Sequence, residues 1–201
     1  MWGAAALALP GHAQSGDRCV VQSFQNGALV AVVDGIGHGD EAAVAAKTAV
    51  ATLEASPHER VTRLIERCHE ALIGTRGAAI SLAAFNTTYQ TLTWVGVGSV
   101  EGVLFRADPG IHPPYESLPL RGGALGDRIP PVHASVFPVM PGDTLILFTN
   151  GIGLGFTRRL PLGGSPQRTA DRILAEHRKG TDDALVLVVH YLGEAGCGLR
   201  A

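Results

Sequence analysis

Carboxylates beside glycines recur at the ends of apolar runs. Asp17 closes "SGD" (15–17), Asp34 opens "DGIGHGD" (34–40), and Asp182 and Asp183 sit in "GTDDALVLVV" (180–189). Asn150 follows "LILFT" and precedes Gly151. Oxygen side chains at four strand ends, each next to a glycine or a turn, are the donor set that a hard divalent ion such as Mg2+ or Mn2+ takes. The Asn26-Gly27 pair signals a hairpin between the flanking segments. Such a hairpin sets the start of one strand, Asp17, beside the end of its partner, Asp34.

Other chemistries compete for the same residues. Asp34-Gly35 taken alone is ordinary turn chemistry. A glycine-rich loop entering a helix can cradle phosphate. However, "GIGHGD" has neither the lysine nor the Ser/Thr of a Walker loop and does not match G-x-G-x-x-G. It also leads into Asp40 and Glu41, which repel an anion. His38 has no second His or Cys at a helical ligand spacing. Cys19, Cys68 and Cys197 are far apart and odd in number, so neither a disulfide framework nor a zinc knuckle is expected, and a reducing cytoplasm fits.

With 16 basic against 18 acidic residues and a net charge of −2, the chain lacks the basic footprint of a nucleic-acid binder. No apolar run is long enough to span a bilayer. The opening "MWGAAALALPGHAQSGD" is apolar but has no positive n-region, so it does not read as a cleaved signal. These features predict a cytoplasmic protein with no membrane partner and no nucleic-acid partner.

The elements that must position the carboxylates follow from periodicity. "AAALAL", "RCVVQSF" (18–24) and "ALVAVVD" (28–34) read as strands. An alanine-rich helix is expected from Asp40 to about Ala55. A second helix opens at Pro57, capped by Ser56 and closed by Gly74. Its Val61, Leu64, Ile65, Cys68 and Leu72 share one face. "AAISLAAF", "TLTWVGV", "GVLFRA", "TLILFT" and "ALVLVVHYL" are further strands, and "PQRTADRILAEHR" (166–178) a further helix. "DPGIHPPYESLPLRGG" and "GDRIPP" read as turn-rich connections. Helices segregated from runs of strands predict an α+β fold of two antiparallel sheets with helices outside, in one domain over 1–201.

In this order and spacing, "SGD" (15–17), "DGIGHG" (34–39), "RGAAISL" (76–82), "LFTNGI" (147–152) and "TDDALVLVV" (181–189) resemble the motifs of the type-2C, metal-dependent serine/threonine protein phosphatases. The likeness is to the bacterial branch of sporulation and stressosome phosphatases, and spans nearly the whole chain. The resemblance implies an α-β-β-α sandwich holding one or two Mg2+ or Mn2+ ions at one end. It implies that Asp34 bridges the metals, that the Gly35 carbonyl binds one, and that Asp17 and Asp183 are the early and late acidic residues. Asp182 is a weaker candidate. It also implies hydrolysis by metal-activated water without a phosphoenzyme, in a monomer acting on a phosphorylated stressosome or STAS-domain protein. The family motif T-D-G is replaced by Thr149-Asn150-Gly151. An amide oxygen still ligates a hard cation but brings no negative charge, which implies weaker metal occupancy and leaves a phosphoprotein docking module as the alternative. Arg76 reads as a strand-entry residue, and Arg158-Arg159 as a solvated charged loop.

Overall fold

The computed structural model describes residues 1–158, 160 and 163–193, so Arg159 and Cys197 lie outside the described residues. Strand β3 (Gly27–Gly35) is the key to the layering. Its side chains alternate between two cores, as a pleated strand requires. Leu29, Ala31 and Val33 pack with residues of two helices, whereas Val30 and Val32 pack with Leu145, Leu147 and Leu187 of the other sheet. Burial on both faces explains the unbroken apolar run.

Two five-stranded antiparallel sheets result. One has the order β2 (Asp17–Phe24), β3, β4 (Ala78–Asn86), β5 (Thr91–Val97), β8 (Ser135–Pro138). The other runs β1 (Trp2–Leu7), β10 (Ala184–His190), β9 (Thr144–Phe148), β6 (Glu101–Phe105), β7 (Tyr115–Ser117). Helices α1 (Asp40–Glu54) and α2 (Val61–Leu72) cover the first sheet. Helix α3 (Pro166–His177) covers the second through Ala170 and Ile173. The expected α-β-β-α sandwich is therefore the observed fold. Among the described residues, no helix is long and apolar enough to cross a membrane.

The alanines of α1 have a structural use. Ala42, Ala43, Ala45, Ala46 and Ala49 are fully buried, and their small side chains bring the helix backbone close to β3. A Cβ on Gly35 would collide with the Ala42 carbonyl. The metal-motif loop and α1 are thus packed backbone to backbone.

Four local expectations need correction. The hairpin turn is Gln25-Asn26, because Phe24 pairs with Gly27. Asn26 takes the positive φ of 61°. Gly27 belongs to the strand, where a Cβ would strike the Phe85 carbonyl and the Phe24 ring. Helix α2 starts at Val61 rather than Pro57. Ser56 instead forms part of a turn that accepts the Glu59 N–H, and Glu59 is tied to Arg67 at 2.6 Å. Tyr115–Ser117 and Ser135–Pro138, inside or beside the segments read as connections, are short edge strands. Residues 154–158 form a 3-10 turn that periodicity did not signal. The apolar start of the chain is strand β1, paired with β10 along its length.

Candidate metal centre

Strands β2 and β3 and the residue before β10 bring their carboxylates to one end of the sandwich, where the end of β9 delivers Thr149 and Asn150. Asp17 lies directly opposite Asp34 in the β2–β3 ladder. Asp17 is only 2% exposed, and Asp34 is half-buried. Asp183 comes from the opposite sheet and is also buried. Its Oδ1 accepts the Leu9 N–H at 2.7 Å, and its Oδ2 accepts the Gly16 N–H at 2.6 Å. Each of these oxygens keeps a second lone pair.

Like charges gathered out of water resist ionisation. Burial first, then Asp34, Asp183 and Asp182, push the Asp17 carboxyl up to about 8 against the favourable Thr149 hydrogen bond. Asp34 is raised to about 6 by burial, with Asp182 and Asp183 adding to it and Ser99 opposing. Among the described residues, no lysine or arginine acts on either carboxyl, so none of them supplies a cation between the carboxylates.

The backbone contributes as well. A Cβ on Gly16 would meet Asp183 Oδ2 and the Gly35 carbonyl oxygen, each at 3.3 Å, and Ala42 Cβ at 2.9 Å. Glycine keeps open the small space onto which those two oxygens converge. Among the described residues, no three His, Cys, Asp or Glu side chains form a ready-made cage. A hard ion bound among these oxygens would complete its shell with waters, as Mg2+ usually does. The donor set, all oxygen and uncompensated, fits Mg2+ or Mn2+.

Sequence reading missed the residues that hold these carboxylates in place. Thr149 is fully buried. Its Oγ1 donates to Asp17 Oδ2 at 2.7 Å and accepts the Leu185 N–H at 3.0 Å. Ser99, in the β5–β6 turn, donates from Oγ to Asp34 Oδ2 at 3.1 Å. Thr149 lay within a quoted motif, but a hydroxyl's partner is not visible in one dimension. Ser99 carried no signal at all.

The remaining candidates separate. Asn150 is exposed at the rim, and its backbone carbonyl accepts a hydrogen bond from Lys179 Nζ at 2.7 Å. Asp182 Oδ1 accepts the Asp183 N–H at 2.9 Å, a turn-forming bond. His38 is exposed and its ring lies 4.5 Å from that of His12. Arg76 precedes β4, as expected, and its Nε meets Glu41 at 2.6 Å. Arg158 is exposed in the 3-10 turn. Burial pushes the Cys68 thiol up to about 12 and raises Cys19, so neither is poised as a thiolate nucleophile.

The model of the family described as stage II sporulation protein E (SpoIIE) matches residues 25–192. The chain belongs to the SpoIIE family. The phosphoserine phosphatase RsbX of Bacillus subtilis (strain 168) is 26% identical over 149 residues, covering 72% of this chain and 70% of RsbX. A structure solved in work on the bacterial stressosome as a modular system superposes with a TM-score of 0.84 at 27% identity, covering 93% of this chain and 97% of that one. A crystal structure of RsbX in complex with magnesium gives a TM-score of 0.81 at 22% identity, covering 92% of each chain. The fold and the family are those of protein phosphatases. The SpoIIE match takes in the whole of β3, β4 and β10, and with them Asp34, Asn150 and Asp183, while Asp17 lies before it.

Proposed function

We propose that this SpoIIE-family protein is a Mn2+- or Mg2+-dependent phosphatase that cleaves phosphoserine or phosphothreonine esters on a bacterial signalling protein of the stressosome or STAS-domain type. The reaction consumes water and releases inorganic phosphate and the free hydroxyl side chain. The observation that carries the reading is the directly opposed Asp17–Asp34 pair, one buried and one half-buried, with no basic partner among the described residues.

Asp17, Asp34, Asp183 and the Gly35 carbonyl are the residues that would hold the cation, with Asn150 at the rim. A divalent cation there supplies a water of lowered pKa and neutralises charge on the phosphoryl oxygens. The chain's own groups prepare the place. Thr149 and Ser99 fix the two carboxylate orientations. Asp183 ties residues 9 and 16 across the sheet ends, and Gly16 leaves the approach open. Cysteine chemistry has no part in this scheme.

The test is phosphate release from a phosphoserine protein, with Mn2+ titrated from zero and EDTA as control. Activity that rises with Mn2+ and disappears in EDTA supports the reading. No turnover at saturating Mn2+, with the same phosphoprotein still bound, would favour a docking module, the alternative that Asn150 keeps open.

A further inference from the structure

Residues 8–16 form a strap that crosses from the sheet of β1 to the sheet of β2, and one carboxylate clips it near both ends. Asp183 Oδ1 accepts the Leu9 N–H at 2.7 Å, and Asp183 Oδ2 accepts the Gly16 N–H at 2.6 Å. Between the clips, the His12 ring lies 4.5 Å from the His38 ring. Gln14 Nε2 donates to Asp40 Oδ1 at 3.3 Å, and Gln14 Oε1 accepts from Lys47 Nζ at 2.7 Å. The middle is otherwise open: Gly11 and Ala13 are exposed, and a Cβ on Gly11 would meet nothing within 4 Å.

The clip at Gly16 also reaches the glycine loop after β3. Gly16 gives its N–H to Asp183, and its carbonyl accepts the Gly35 N–H at 3.1 Å. The end of the strap thus joins two of the groups that would hold the cation. Each Asp183 oxygen keeps a lone pair after serving its N–H, so clipping the strap and holding an ion do not compete for the same electrons. In the absence of an ion, Asp183 acts unfavourably on ionised Asp17 and Asp34. A cation among these oxygens turns that repulsion into attraction and removes the drive for Asp183 to swing away.

Resting on the metal-dependent phosphatase reading above, we infer that Asp183 couples the cation to the strap: binding the ion closes residues 8–16, and whatever holds the strap closed tightens the ion. Asp183 is then a positioning residue as well as a candidate ligand. The coupling is reciprocal, because two events that share one ordered carboxylate favour each other by the same factor. It makes the strap's outer contacts part of metal binding. Among the described residues, neither His12 nor Gln14 hydrogen-bonds to a candidate oxygen donor, yet both fasten the strap to the segment that follows Gly35. Loosening them lets the strap pull on Asp183 and lowers the affinity for the ion.

The test reads the strap directly. Hydrogen–deuterium exchange of the 8–16 backbone is followed by mass spectrometry in EDTA and at saturating Mn2+, and Mn2+ affinity is measured by equilibrium dialysis. Wild type, Asp183→Asn and the double variant His12→Ala/Gln14→Ala are compared after thermal melts confirm that each is folded. Mn2+ is expected to slow exchange of the wild-type strap by about fivefold or more, the lower end of usual coupling between sites. Asp183→Asn turns one acceptor into a donor facing an N–H, and is expected to speed exchange already in EDTA, where no ion takes part. The double variant is expected to exchange faster in EDTA and to bind Mn2+ several-fold more weakly, by no more than the factor of the wild-type slowing. Wild-type exchange indifferent to Mn2+ would overturn the inference. So would Asp183→Asn exchange unchanged in EDTA, or a double variant with a loosened strap and undiminished Mn2+ affinity. Phosphate release from a phosphoserine protein separates the two readings. Mn2+-dependent release with an indifferent strap sinks the coupling alone; a strap that closes on Mn2+ without any release sinks the phosphatase reading and sustains the coupling.

Discussion

Replacing Thr149 with valine keeps the shape of a fully buried side chain and deletes its hydroxyl. Two groups lose their partner at once: Asp17 Oδ2, which accepted from Thr149 Oγ1 at 2.7 Å, and the Leu185 N–H, which donated to it at 3.0 Å. A buried polar group left unsatisfied costs about 1–3 kcal/mol. Asp17 escapes part of its share by taking a proton, because its carboxyl is already raised to about 8. A combined loss of about 3 kcal/mol follows, and for a chain of this size each kcal/mol lowers Tm by about 2–4 °C. Thermal unfolding in EDTA at pH 7 should therefore show Thr149→Val melting about 6–12 °C below wild type. Thr149→Ser keeps both hydrogen bonds and should lose far less. The difference also has a pH sign. Thr149 favours ionised Asp17, so its removal should cost more as pH rises through 8 and less toward pH 5, where Asp17 is protonated in either protein. A valine variant as stable as wild type, or more stable than the serine variant, would refute the role assigned to this hydroxyl.

Three further outcomes are expected. Asp34→Ala should abolish Mn2+-dependent phosphate release while leaving the fold intact. Its metal-free Tm should not fall, because a half-buried like charge opposite Asp17 has been removed; a lower Tm would mean that Asp34 serves the fold. Wild type in EDTA should be more stable at pH 5 than at pH 8. Carboxyls raised from 3.8 to about 8 and about 6 bind protons more tightly when folded, so stability is lost as pH rises through those values. Saturating Mn2+ should flatten that dependence, and denaturant melts across pH would show it. Gly16→Ala puts a methyl against Asp183 Oδ2 and the Gly35 carbonyl, and should raise the Mn2+ concentration for half-maximal activity several-fold without unfolding the chain; unchanged metal demand would remove Gly16 from the site.

The Asp17–Asp34 pairing was legible in the sequence because it is local. Strands joined by a tight turn are bound to place the start of one beside the end of the other, even though the turn proved to be Gln25-Asn26. The layering was also legible: helices segregated from runs of strands called for two sheets with helices outside, and the three- and four-residue apolar spacing of α2 marked its buried side. Edge strands β7 and β8 were not, since three or four residues carry no periodicity and become strands only by pairing with β6 and β5.

The rest of the centre was decided in three dimensions. Thr149 reaches Asp17 across 132 residues, and Asp183 reaches Leu9 and Gly16 across 174 and 167. Lys179 meets Asn150 only because the chain after α3 returns alongside the turn after β9. Residue type and spacing fixed which groups could bind a hard cation and which faces had to be buried. Which hydroxyl holds which carboxylate depended on how the two sheets stack. Hydrophobic alternation specifies a buried face but not the partner that buries it.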